Sequence, residues 1–124
     1  MKKFKILIPI YNDWDSVFKL LEIIDSEISV FDHEFSVLIV DDASTEKMKK
    51  TKFNYKNLKS IDVIKMKKNQ GHTRCNASGL KYLSEKKGFD YLIVMDGDGE
   101  DRPEEIKNFV EKIKDNPNKS IVGE

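Results

Sequence analysis

The chain has 124 residues, 39% apolar and 35% charged, with 22 basic against 22 acidic side chains and a single cysteine, Cys75. That length supports one domain with a buried core, and the even charge lacks the basic excess of a duplex-DNA binder, so nucleic acid is not an expected partner. One cysteine permits no internal disulfide, which suits a reducing compartment, and apolar runs of about five residues fall far short of the ~20 that a membrane helix needs.

The N-terminal Met1-Lys-Lys-Phe-Lys leads into a short strand-like run broken by Pro9, not into a signal peptide. Phe4 to Ile10 reads as a first strand. Asp15 to Ser29 carries Val17, Phe18, Leu20, Leu21, Ile24 and Ile28 at helical spacing. Phe35 to Val40 is a second strand, ending in Asp41-Asp42. A weaker helix is expected from Thr45 to about Lys52, and Ile61 to Met66 is a third strand. Thr73 to Lys87 predicts a helix with Ala77, Leu80 and Leu83 on one face, and Gly88 suits its end. Tyr91 to Met95 is a fourth strand, Pro103 to Lys114 a helix with Ile106, Phe109, Val110 and Ile113 as its stripe, and a fifth strand begins at Ser120.

Apolar strands alternating with helices predict a mainly parallel sheet covered on both faces, a Rossmann-like three-layer α/β/α fold. Ligands bind at the carboxyl ends of the strands in such sheets. Each unusual polar cluster falls at such an end: Pro9-Ile-Tyr-Asn12, Asp41-Asp-Ala-Ser-Thr45, Asn69-Gln-Gly-His72 and Asp96-Gly-Asp-Gly99. Four clusters on one edge argue for one site.

The last cluster opens a run of six carboxylates between Asp96 and Glu105. Asp96 and Asp98, two apart in extended chain, point to the same side. Two hard carboxylates suit a divalent cation, Mg2+ or Mn2+, which shares phosphate oxygens with a substrate. Asp101, Glu104 and Glu105 have a local explanation, a capping box and the positive end of a helix dipole; Glu100 has none. Within Asp41-Asp42, one carboxylate reads as a partner for a base or ribose and the other as a turn or cap aided by Ser44 and Thr45. Tyr11 has two readings, a platform for a flat base and a buried aromatic. The amides of Asn69-Gln-Gly71 are candidates to meet an anion. Arg74 is either a phosphate contact or a solvated side chain. His33 and His72 lack metal-ligand spacing and carry no role, and Cys75 reads as helix packing. Nine lysines between Lys47 and Lys68 are either a solvated surface or a patch against anionic headgroups.

Several motifs are absent. No Gly-x-Gly-x-x-Gly turn follows the first strand, and no P-loop occurs. An EF-hand loop from Asp96 would need Gly and Glu where Asp101 and Lys107 stand. A receiver domain would open with its acidic strand, whereas a strand and helix precede Asp41.

With these clusters in order, the chain resembles the family 2 glycosyltransferases of the GT-A fold. The residues that carry this are Ile8-Pro-Ile-Tyr-Asn12, Val40-Asp-Asp-Ala-Ser-Thr45, Asn69-Gln-Gly71 with Gly79-Leu80, and Val94-Met-Asp-Gly-Asp-Gly-Glu-Asp-Arg-Pro-Glu-Glu105. Asp-Gly-Asp followed by Pro-Glu-Glu is most similar to the polyprenol-phosphate branch, which includes dolichol-phosphate mannosyltransferase-like enzymes. The resemblance implies that Pro9, Tyr11, Asn12, Asp41, Asp42, Arg74 and Asp96 bind a UDP- or GDP-sugar. It implies that Asp96 and Asp98 hold the metal, and that a hexose passes with inversion to an acceptor, a polyprenyl phosphate in that branch. It also implies a cytoplasmic location, at the membrane face. These enzymes are much longer than this chain, and their second half supplies the acceptor site and any catalytic base. The expectation is therefore a donor-binding domain over 1–124, with its base beyond Glu124 and little transfer by this chain alone. Two other classes compete. A nucleotidyltransferase would carry a Gly-rich basic loop where Pro-Ile-Tyr-Asn stands. A non-catalytic module would bind a partner through the lysine-rich face.

Overall fold

The computed structural model describes residues 1–46, 48, 55–86, 88–95 and 105–115. Strands β1 (Lys3–Ile10), β2 (Glu34–Asp41), β3 (Leu58–Lys65) and β4 (Tyr91–Val94) alternate with helices α1 (Trp14–Glu27), α2 (His72–Lys86) and α3 (Glu105–Asp115); a short 3-10 turn, Ile28–Val30, follows α1. The sheet is parallel throughout, in the order β3-β2-β1-β4. The chain builds outward from β1 to β3, then returns to lay β4 on the other side of β1. The order reverses between β1 and β4, and in such sheets the crevice at the carboxyl ends of these two strands is the ligand position.

Period-two alternation divides the strands between two cores. Phe4, Ile6, Ile8 and Ile10 of β1, with Phe35, Val37 and Ile39 of β2 and Ile93 of β4, pack against α1 and α3. Leu7 of β1 and Leu38 and Val40 of β2 point the other way, onto Cys75 and Leu83 of α2. Most of these side chains are fully buried, each contributing about 1.5–3 kcal/mol of transfer free energy. The α1 stripe buries Val17, Leu20, Leu21, Ile24 and Ile28 as expected, with Phe18 partly covered, and adds Trp14 at its start. Ile106 and Val110 anchor α3, and Lys107 reaches Glu27 of α1 at 3.2 Å.

Three expectations differ from the structure. The α2 face is not Ala77, Leu80 and Leu83: Ala77 is exposed and Leu80 is 44% exposed, while Cys75, Gly79 and Leu83 are buried. The sheet selects the face where Gly79 lets α2 approach closely, because a Cβ there would stand 2.5 Å from Leu7 Cδ1. Strand β3 starts three residues before Ile61, because a bulge between Phe35 and Ser36 absorbs Lys59 and re-phases the strand. Thr45, Glu46 and Met48, the described part of the helix expected after β2, are not helical. The expected fifth strand from Ser120 lies outside the described residues.

Candidate functional site

The carboxyl ends of β1 and β2 are tied into one loop system. Asp41 ends β2, only 4% exposed. Its Oδ1 accepts hydrogen bonds from the backbone N–H of Ser44, at 3.0 Å, and from the Ser44 hydroxyl. Ser44 Oγ in turn accepts the N–H of Asn12, at 2.8 Å. The Asn12 amide side chain spans the gap: Nδ2 donates to Thr45 Oγ1 at 3.0 Å, and Oδ1 accepts from the N–H of Glu46 at 2.9 Å. Trp14 Nε1 donates to the Glu46 carbonyl at 3.1 Å. Asn12 and Ala43 have φ of 57° and 59°. Such left-handed non-glycine positions cost of order 1–3 kcal/mol and persist where surrounding contacts over-determine them. Here the hydrogen bonds from Asn12 and Ser44 supply that constraint.

Tyr11 is 38% exposed at this edge, so the buried-aromatic reading does not hold. Its N–H donates to Asp13 Oδ2 at 3.2 Å, which turns that carboxylate away from capping α1. Pro9 is buried within β1, opposite Val40. The Leu7 carbonyl accepts from Met95 N–H. Residue 9 therefore turns toward the same side, and its missing N–H falls past the last residue of the β1–β4 ladder.

Asp42 is held differently. It is 1% exposed, and both oxygens are engaged by the turn before α2: Oδ1 accepts from Gln70 N–H at 2.7 Å and Oδ2 from Gly71 N–H at 2.8 Å. Asn69 Nδ2 reaches the Asp42 carbonyl at 3.3 Å. The turn amides that the sequence offered to an external anion are therefore met by the chain's own carboxylate, favourably placed at a helix N-terminus. Cys75, on the first turn of α2, also hydrogen-bonds Asp42. Burial, then this bond and the charges of Asp42 and Asp41, push the thiol up to about 12.

The Cys75 expectation of helix packing is met, since the residue is fully buried. The thiolate is the reactive form, so the native chain is expected to resist iodoacetamide at pH 8 while the urea-unfolded chain reacts. Equal rates would contradict this placement. The raised pKa makes a contribution to stability that is complete below the thiol's ordinary 9.0 and is lost between about 9 and 12.

Arg74 is exposed on α2, and its one described hydrogen bond runs from Nη1 to Gln70 Oε1 at 3.4 Å. It is not joined to Asn12, Ser44 and Asp41. Asp96 and Asp98 lie outside the described residues. The sheet holds the chain as far as Met95, the residue before Asp96 in sequence, whose N–H donates to the Leu7 carbonyl at 2.9 Å. Among the described residues no cluster of His, Cys, Asp or Glu could hold a metal ion. Sequence reasoning missed Ser44 as the link between Asn12 and Asp41. The sequence offered Ser44 as an aid to the turn at Asp41-Asp42, but nothing in it joins that turn to Asn12, 32 residues before Ser44.

The pattern of Glycosyl transferase family 2 matches residues 5–124. Among curated relatives, the undecaprenyl-phosphate 4-deoxy-4-formamido-L-arabinose transferase of Klebsiella pneumoniae (strain 342) is 26% identical over 114 residues, covering 90% of this chain and 34% of that protein. The dolichol-phosphate mannosyltransferase of Pyrococcus furiosus is 28% identical over 112 residues, covering 90% of this chain and 30% of that one. The chain thus spans about a third of the length of these relatives. Among solved structures, S. aureus TarS 1–349 superposes with a TM-score of 0.64 at 22% identity, over 91% of this chain and 32% of that one, a likeness of fold. No helix among the described residues is long and apolar enough to cross a membrane. The family match runs from β1 through α3, across both strand ends that build the Asn12–Ser44–Asp41 loop system, and the chain belongs to glycosyl transferase family 2.

Proposed function

We propose that this chain is the donor-binding part of a glycosyltransferase that takes a nucleotide-diphosphate sugar with a divalent metal and serves inverting transfer of a hexose to a polyprenyl phosphate. The observation that carries this is the junction of Tyr11, Asn12 and Asp41 at the carboxyl ends of β1 and β2, beside the point where the chain leaves β4 for Asp96 and Asp98. In this reading Tyr11 packs against the base. Asp41 accepts from the base or ribose through the oxygen that Ser44 leaves open, and Asn12 keeps both in register. Asp42 serves the fold. Asp96 and Asp98 offer hard oxygen donors that fit Mg2+ or Mn2+, and a bound metal would supply positive charge for the leaving diphosphate. Relatives named for undecaprenyl phosphate and dolichol phosphate support a polyprenyl phosphate acceptor and work at the membrane face. The acceptor side and its base belong to sequence that the longer relatives carry.

Calorimetric titration with UDP and GDP, with and without manganese, tests this. Binding is expected to require manganese and to lose that requirement with its affinity in Asp98→Ala. Asp41→Asn is expected to weaken binding about tenfold, the size of one charge-assisted hydrogen bond. Affinity indifferent to metal and to both substitutions would overturn the reading, as would brisk sugar transfer by the 124-residue chain alone.

A further inference from the structure

At the opposite edge of the sheet lies a groove that the donor site does not use. Helix α2 covers Leu7, Leu38 and Val40, toward the carboxyl ends of the strands. Closer to the amino ends, the same sheet face carries polar residues in matched rows. Lys5 pairs with Ser36, and Ser36 with Ser60; Lys3 pairs with Glu34. No described residue closes the face over there, and among the described residues a cavity of about 490 Å³ lies between these strands and the C-terminal end of α2.

Charge in the cavity wall is unbalanced. Four lysines line it, Lys3, Lys5, Lys59 and Lys86, against two carboxylates, Glu34 and Asp62. Lys59 Nζ is paired with Glu34 at 2.6 Å, and Lys86 Nζ lies 5.4 Å from the centre of the Tyr82 ring. Lys3 and Lys5 have no ion-pair partner among the described residues. The surplus is two positive charges, with the Ser36 and Ser60 hydroxyls on the floor as further donors.

The floor is also held in place. Asp90 takes the Lys3 N–H on Oδ2 at 2.8 Å and returns its own N–H to the Lys3 carbonyl at 2.7 Å. Glu34 N–H donates to the Lys2 carbonyl at 2.9 Å. The bulge that absorbs Lys59 puts Ser60 opposite Ser36 on this face, and bulges re-aim side chains in this way beside binding sites. Groups fixed before a ligand arrives lose little freedom on binding it.

We propose that this groove is a second binding site, for a phosphate dianion carried by a soluble phosphate ester or by a lipid headgroup. A dianion matches the surplus of two charges, and ammonium–phosphate hydrogen bonds are of the strong, charge-assisted kind. The site stands about 15–20 Å along the strands from Asp41, so it binds independently of the donor.

Titration of the isotope-labelled chain with inorganic phosphate at constant ionic strength, followed by amide NMR shifts, reads the groove directly. Saturable shifts are expected at Lys5, Ser36 and Ser60, with Ser44 unmoved. The doubly substituted Lys5→Gln, Lys86→Gln chain is expected to bind about tenfold more weakly or worse. Both side chains reach solvent, and an unchanged spectrum elsewhere shows that this variant is folded. Sedimentation with phosphatidic acid vesicles, against phosphatidylcholine, separates the sources. Pelleting that free phosphate displaces and the double variant loses assigns the headgroup. Phosphate shifts without pelleting assign a soluble ester. No saturable shift in the groove and no pelleting, or responses that survive the double substitution, overturn the proposal. Nucleotide titration at the other edge is a separate readout, so failure of the donor reading leaves this result standing.

Discussion

Asp42→Ala is expected to destabilise the chain by about 3 kcal/mol, roughly 1.5 for each of two charge-assisted hydrogen bonds lost. The carboxylate ties the end of β2 to both Gln70 and Gly71 through two bonds of 2.7 and 2.8 Å. Gln70 and Gly71 are themselves exposed, so water can reach their freed amides, and that keeps the figure at the lower end of the range. The Cys75 thiol, fully buried, loses its acceptor as well. Asp42→Asn is the sharper variant. Its side chain keeps one acceptor but turns a donor toward the other N–H, so it should recover part of the loss and no more. Thermal unfolding reads the order directly: wild type, then Asn, then Ala, with the Ala variant lower by about 10 °C for a domain of this size. An Ala variant within a degree or two of wild type would mean that the turn before α2 holds itself.

The division of work between Asp41 and Asp42 shows what a sequence leaves open. The two carboxylates are chemically the same, and neither neighbour distinguishes them. Strand parity does. Residues 35, 37, 39 and 41 share the α1 side of β2, and 38, 40 and 42 share the α2 side, so only Asp42 can meet the turn that starts α2. That argument needs to know which helix covers which face, which no stretch of β2 states. The strands themselves were legible, because Phe4–Ile10, Phe35–Val40 and Tyr91–Met95 are too apolar to lie anywhere but in a covered sheet, and the α1 stripe followed from its spacing. At β3 the pattern misled: Lys59 and Ser60 look like loop, and the bulge that keeps Leu58 and Ile61 on one face breaks the alternation used to find strands. The edge where the site lies was readable from polar residues at strand ends. The ties that fix it were not, because Asn12, Ser44 and Thr45 are common turn residues whose partners are about 32 positions apart.

Gly79 makes the same point in energetic terms, since a residue without a side chain fixes which face of α2 is buried. Reading for an apolar stripe passes over it and favours Leu80, which the fold leaves 44% exposed. A Cβ at 79 would meet Leu7 Cδ1 at 2.5 Å, Val40 Cγ2 at 3.1 Å and Leu7 Cδ2 at 3.2 Å. Leu7 and Val40 are fully buried and central to the smaller core, so neither can swing aside into solvent. Two effects oppose each other for Gly79→Ala: a gain of about 1 kcal/mol in helix propensity and an overpacking cost of about 1–3 kcal/mol. The net change should be small and unfavourable. Gly79→Leu keeps most of the propensity gain but adds three more carbons in the same space. Helix α2 must then lift from the sheet and uncover Leu7, Leu38 and Val40, so a loss of about 3 kcal/mol or more is expected. The lift also pulls Gln70 and Gly71 away from Asp42, so the Leu variant should expose Cys75 to alkylation under native conditions while the Ala variant does not. Denaturant unfolding supplies the stabilities and iodoacetamide labelling the exposure. A Gly79→Leu chain as stable and as unreactive as wild type would show that α2 does not rest on the sheet at this glycine.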